Sequence, residues 1–175
     1  MSTPPSATPK VGRHRLGGER SLGFGILTVS DTHTEDDDPS GTLARQLVEG
    51  AGHRVAHTGL VCNSVADARE KLEAWLADPK VEIAVTVGGT GASSRDLTVN
   101  ALETMGGRKL EGFGEIYRSI SFQEVGPLAI ISRAALYVIQ GKPVFALPGS
   151  ERAVRTALEK LILPAVQHLV EELER

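Results

Sequence analysis

The chain has 175 residues, 41% of them hydrophobic and 23% charged, with a formal net charge of −3. That length suits one domain with a substantial core, the charge gives no electrostatic footprint for nucleic acid, and neither a membrane-length apolar run nor a secretory pattern is visible. The single cysteine, Cys62, excludes an internal disulfide and a cysteine-rich metal site, so composition points to the cytoplasm.

Residues 1–20 are mostly Ser, Thr, Pro, Gly and Arg with little apolar content. They are expected to form a disordered tail, with the folded domain over 21–175. Residues 23–29 read as the first strand. Ser30 and Asp31 at its end suit either a side chain-to-backbone turn or a ligand rim. The acidic run 35–38 is expected to be solvated. Ser40 reads as the N-cap of a helix reaching Gly50, with Leu43, Leu47 and Val48 as its buried stripe.

Residues 53–61 read as a second strand, with His53 and His57 four apart and so on one face, solvent-side. No third ligand for a metal is evident beside them. Cys62 lacks a catalytic partner and is expected to be a buried or half-buried thiol. Ser64 and Asp67 resemble a capping box for a helix to about residue 78, with Ala68, Leu72, Trp75 and Leu76 inward.

Residues 81–87 have the apolar, β-branched character of a central strand covered on both faces. The strand runs into Gly88-Gly89-Thr90-Gly91 and then Ser93, Ser94, Arg95 and Asp96. Such a loop exposes backbone amides that converge on an anion, which makes phosphate the first ligand to consider. It is neither a Walker A loop nor a dinucleotide fingerprint, and an ordinary strand-to-helix turn is the alternative. Asp96 is expected to open a helix through Met105.

Beyond Gly106-Gly107, residues 116–122 read as helical. Residues 134–139 and 142–147 pair as a hairpin around Gln140-Gly141. Pro148-Gly149-Ser150 ends the last strand, and Ser150 caps a closing helix that Pro164 kinks or splits. The alternation predicts a three-layer α/β/α domain with a mostly parallel sheet plus an antiparallel hairpin strand. Ligands of such sheets sit beyond the carboxyl ends of the strands, where Ser30, Asp31, Asn63, the glycine loop and Pro148-Gly149 fall.

Five ordered segments carry a resemblance to the MoaB/MogA family of molybdenum cofactor biosynthesis, which includes the G domain of gephyrin. They are Thr28-Val29-Ser30-Asp31, Gly88-Gly89-Thr90-Gly91 with Arg95-Asp96, Glu111-Gly112-Phe113-Gly114-Glu115, Ser132-Arg133 and Pro148-Gly149. The acidic loop before Ser40-Gly41 and the run Ser119 to Glu124 are more similar to MoaB than to MogA. The resemblance implies the molybdopterin-binding fold, homo-oligomers (trimers or hexamers) and, in active members, transfer of AMP from Mg-ATP to molybdopterin with release of pyrophosphate. It implies catalytic roles for Asp96 and Ser132 and ligand contacts from Ser30, Asp31, Gly88, Gly89, Thr90, Gly91, Glu111, Gly112, Gly114, Ser121, Arg133, Pro148 and Gly149. Asn63 stands where active members carry a second catalytic aspartate. Mg²⁺ would then fall to Asp96 and Asn63, and Asn63 holds it less strongly than a carboxylate. A non-catalytic paralogue that binds molybdopterin or scaffolds pathway partners is the alternative.

Overall fold

The computed structural model describes residues 20–175; the expected tail lies outside these except for Arg20. The elements run β1 (Gly23–Val29), α1 (Pro39–Gly50), β2 (Arg54–Val61), α2 (Val65–Ala77), β3 (Ile83–Val87), α3 (Thr98–Thr104), β4 (Arg108–Leu110) and α4 (Glu111–Val125). A 3-10 helix (Gly126–Ile131), β5 (Ala135–Ile139), β6 (Lys142–Leu147), α5 (Glu151–Ala157), a π-helical turn (Leu158–Ile162) and α6 (Leu163–Leu173) complete the chain. The six strands form one sheet in the order β2-β1-β3-β6-β5-β4. Pairs β1/β2, β1/β3 and β3/β6 are parallel, and only β5 runs against the rest.

Alternation along the strands divides the core between the two faces of the sheet. Phe24, Ile26, Val85 and Phe145 pack against α1, α4, α5 and α6, whereas Leu27, Ala84, Tyr137 and Val144 pack against α2 and α3. Trp75 of α2 is the largest piece of the second face. A Cβ on Gly25 would stand 2.9 Å from its ring and one on Gly59 3.2 Å, so β1 and β2 each lack a side chain where the indole lies.

Several expectations are corrected. Asp38, not Ser40, caps α1: its Oδ1 accepts the Gly41 amide at 2.8 Å, and its other oxygen takes the Thr28 hydroxyl. The acidic loop is therefore partly built into the fold rather than wholly solvated. Ser40 instead donates from Oγ to the Gly149 carbonyl at 2.7 Å, tying α1 to the end of β6. His53 and His57 do not share a face. The β1/β2 register slips between Phe24 and Gly25, leaving Ala56 as an extra residue, and one extra residue reverses the alternation. His53 meets Phe24 with ring centroids 5.4 Å apart; His57 stacks on Trp75 at 5.6 Å and bonds Asp78 at 2.7 Å. Cys62 is exposed rather than buried, because it stands in the turn beyond the last residue of β2. Helix α3 starts at Thr98 rather than Asp96, whose carboxylate closes a turn on Ser93.

The C-terminal helix explains its own irregularity. Val154, Leu158, Ile162, Val166 and Val170 are all buried, one in every four residues. At 3.6 residues per turn such a stripe would wind away from the sheet by about 40° per step. The wider π turn, in which the Leu163 amide reaches back to the Leu158 carbonyl, brings it back into line just before Pro164.

Candidate functional site

The chain reverses its direction of travel across the sheet at β1 and β3, so the crevice beyond their carboxyl ends is where a ligand is expected. The loop after β3 fills it. Gly88 and Gly89 have φ of +99° and +63°, in the left-handed region that side chains resist. A Cβ on Gly88 would also lie 2.3 Å from the Val29 carbonyl oxygen. The loop is pinned on three sides. The Gly88 amide donates to Leu147 O at 2.9 Å, Thr98 Oγ1 donates to Gly88 O at 2.7 Å, and the Thr98 amide donates to Gly89 O at 3.0 Å.

Arg133 braces the far half of the loop. Its amide donates to Thr90 O at 2.8 Å and its Nε to Gly91 O at 2.9 Å. The two terminal nitrogens share Asn100 Oδ1 at 3.1 Å, and one of them also bonds the Asp96 carbonyl. The guanidinium that the resemblance offers to the ligand is thus bonded to protein acceptors at all three of its nitrogens. Its sequence neighbour Ser132 lines the adjacent cleft, so Asp96 and Ser132 are brought to the same loop. The Asp96 carboxylate accepts the Ser93 amide at 2.9 Å and stands close to Gly91, 2.7 Å from where a Cβ there would be.

On the other side of the loop, Asp31 Oδ1 accepts the Asn63 amide at 2.8 Å, while Oδ2 takes Asn63 Nδ2 at 3.3 Å. Asn63 Oδ1 turns toward Gly89 and is buried without a hydrogen-bond partner. Thr90 Oγ1 is in the same condition, in a residue only 2% exposed. A buried polar atom left unpaired costs about 1–3 kcal/mol, so two of them around one loop mark a place prepared for something else. Ser30 is occupied locally: its hydroxyl accepts the amides of Thr32 and His33 and bonds His33 Nδ1 at 2.9 Å.

A cleft of about 200 Å³ opens beside Thr90 and Gly91. Ser121, Ser132 and Pro148 share it, with Leu128, Ala129 and Ile131 supplying apolar wall. Gly149 lies against Gly88, at 3.3 Å from where its Cβ would be. Glu111 and Gly112 are not among the residues lining the cleft. They are exposed at the start of α4, where Glu111 pairs with Lys109 at 3.1 Å. Gly114 supports the site from below, letting α4 approach the Ala134 carbonyl, to which Arg118 donates at 3.2 Å.

Three further lining residues escaped sequence reasoning: Tyr117, Glu124 and Arg152. Tyr117, Ser121 and Glu124 fall at helical spacing, so Ser121 alone pointed to the other two. Burial pushes the Tyr117 hydroxyl above its usual range. Glu124 is held below the usual carboxylate range, first by Lys160 at 2.9 Å and also by the Thr156 hydroxyl.

Comparison with known proteins identifies the family and the fold. Residues 25–168 match a family model described as a probable molybdopterin binding domain. Molybdenum cofactor biosynthesis protein B of Bacillus cereus is 37% identical over 166 residues, covering 94% of this chain and 98% of the relative. The protein of the same name from Bacillus subtilis is 39% identical, covering 86% and 89%. A crystal structure of a molybdenum cofactor biosynthesis protein B superposes with a TM-score of 0.86 at 39% identity, over 89% of this chain and 98% of that one. The tungsten cofactor synthesizing protein MoaB from Pyrococcus furiosus follows at 0.80 and 30%, over 90% and 99%. With most of its length and its fold accounted for in this way, the chain belongs to the molybdopterin-binding family of molybdenum cofactor biosynthesis, in its MoaB branch.

Proposed function

We propose that the protein binds molybdopterin in the cleft beside Thr90 and transfers AMP to it from Mg-ATP, releasing pyrophosphate. The observation that carries this reading is the braced loop from Gly88 to Gly91, flanked by the unpaired Asn63 Oδ1 and Thr90 Oγ1. Nucleotidyl transfer loads charge onto phosphate oxygens, and a rigid loop of exposed backbone suits their stabilisation. In the proposed site Ser121 and Ser132 contact the pterin ligand, and Pro148 with Gly149 closes its border.

The donor set suits Mg²⁺. Asn63 Oδ1 is a free oxygen acceptor on one side of the loop, and the Asp96 carboxylate lies on the other. Mg²⁺ commonly keeps several waters and substrate phosphates and takes only one or two protein oxygens. When bound, the ion neutralises charge on the phosphate oxygens. Asn63 and Asp96 hold it, Asp31 fixes the Asn63 amide, and Arg133 holds the loop still.

A second reading is a binding or scaffold paralogue without turnover. Asn63 favours it, because a neutral carboxamide replaces the charge that active members place there. The two part in one assay: formation of adenylylated molybdopterin from Mg-ATP, abolished in Asp96→Ala. Molybdopterin binding with no product in the wild type or in Asn63→Asp leaves only the second reading.

The protein is further proposed to be a cytoplasmic homo-oligomer, trimer or hexamer, working with other cofactor-pathway proteins. Ile116, Phe122, Leu128, Ile130 and Ile131 on α4 and the 3-10 helix are 53 to 84% exposed, which supports a covered face. No helix among the described residues is long and apolar enough to cross a membrane. Mass measurement in solution separates trimer from hexamer.

A further inference from the structure

We infer that Arg152 is the anion-binding residue of the cleft and that, with Thr90, it receives the phosphate of a ligand whose flat body lies along the apolar wall. This deepens the reading of the cleft as a molybdopterin site and rests on it for the identity of that body.

Three cations near the cleft are already used within the protein. Arg133 is bonded to the glycine loop and Asn100. Arg118 donates to the carbonyls of Ser132 and Ala134. Lys160 is paired with Glu124. Arg152 lines the cleft from the first turn of α5, and its guanidinium makes no hydrogen bond or ion pair with any other described residue. Glu124 feels its charge, yet the Glu124 carboxylate is turned to Thr156 and Lys160. Arg152 therefore keeps its donor fork for a ligand, in the geometry that matches a phosphate.

Thr90 supplies the independent observation. It lines the same cleft, is 98% buried, and its hydroxyl has no partner in the protein. A buried hydroxyl without a partner and an exposed guanidinium without a protein partner line one cleft of about 200 Å³. The opposing wall of Val125, Leu128, Ala129 and Ile131 is apolar. That division selects an organophosphate: a charged group between Arg152 and Thr90, and a flat body against the wall.

The test uses the full-length protein and inorganic phosphate as probe, read by ³¹P line broadening. Saturable binding is expected in the wild type, weakened about tenfold in Arg152→Ala and less in Arg152→Lys. Thr90→Val is expected to weaken binding too, with an unchanged or higher Tm. Arg155→Ala, on the same helix but paired with Glu159, is expected to leave binding unchanged. Absence of saturable binding in the wild type, equal binding in Arg152→Ala, or an equal loss in Arg155→Ala would each overturn the inference. Molybdopterin binding, measured separately by fluorescence, keeps the two claims apart. Equal molybdopterin affinity in wild type and Arg152→Ala refutes the role of Arg152 and spares the proposed function. Phosphate binding that needs Arg152, in a protein that ignores molybdopterin, does the reverse.

Discussion

Asp31 and Asn63 join the ends of β1 and β2 through two hydrogen bonds, one to the Asn63 amide at 2.8 Å and one to its side-chain nitrogen at 3.3 Å. Asn63→Asp would replace that side-chain donor with a second carboxylate facing the first. Without a cation the two repel, and one oxygen of the new carboxylate takes the buried place of Oδ1 against Gly89, so a loss of at least roughly 1 kcal/mol is expected. Adding Mg²⁺ is expected to restore the loss, and on the catalytic reading to raise the adenylylation rate. Thermal melts in EDTA and in Mg²⁺ measure the first part. A melt insensitive to both the substitution and the ion would remove Asn63 from the metal site.

Arg133 serves the loop rather than the solvent. Arg133→Lys keeps the charge but cannot reproduce bonds to Gly91 O, Asp96 O and Asn100 Oδ1 at once. The expected destabilisation is about 2–4 kcal/mol by urea unfolding, from several part-buried bonds of about 1 kcal/mol each. A larger drop in kcat than in molybdopterin affinity is expected, since Asp96 is positioned through the same contacts.

Tyr137 predicts the alkaline limit of the fold. It is 3% exposed, with the Glu103 carboxylate beside its hydroxyl. Burial first, then the charges of Glu103 and Glu111, pushes it up to about 12. An unfolded tyrosine ionises near its ordinary value of about 10, so above that pH the unfolded state loses its proton first. Stability is therefore whole below about pH 10 and falls as pH rises through the folded value. In Tyr137→Phe this part of the fall is expected to disappear, as checked by urea unfolding between pH 9 and pH 12.

The rim was legible because each strand ends in residues that break a strand: Ser30-Asp31, Asn63-Ser64, Gly88-Gly89 and Pro148-Gly149. Strand β4 was not, because three residues, two of them charged, carry too little alternation. The slip at Ala56 was invisible for another reason: nothing in Val55-Ala56-His57 distinguishes a bulge from continued pairing, yet it decides which face each histidine takes. Asp38 and Ser40 are both competent caps, and only the fold reveals that Ser40 is needed at Gly149. Arg133 read as a ligand for phosphate because its true partners lie about forty positions away along the chain. Nothing in the sequence marks Arg152, which lies in the first turn of a helix rather than at a strand end.

The widened turn from Leu158 to Ile162 has a bearing on how this chain tolerates changes in length. It works as a slack link: removing one exposed residue there, such as Glu159, would let the segment wind as ordinary helix while the flanking halves keep their own inward faces. A homologue shorter by one at this point, or the deletion made by hand and followed by circular dichroism, should retain its helical content. The same deletion within residues 166–170 would rotate Val170 away from the sheet and should not be tolerated.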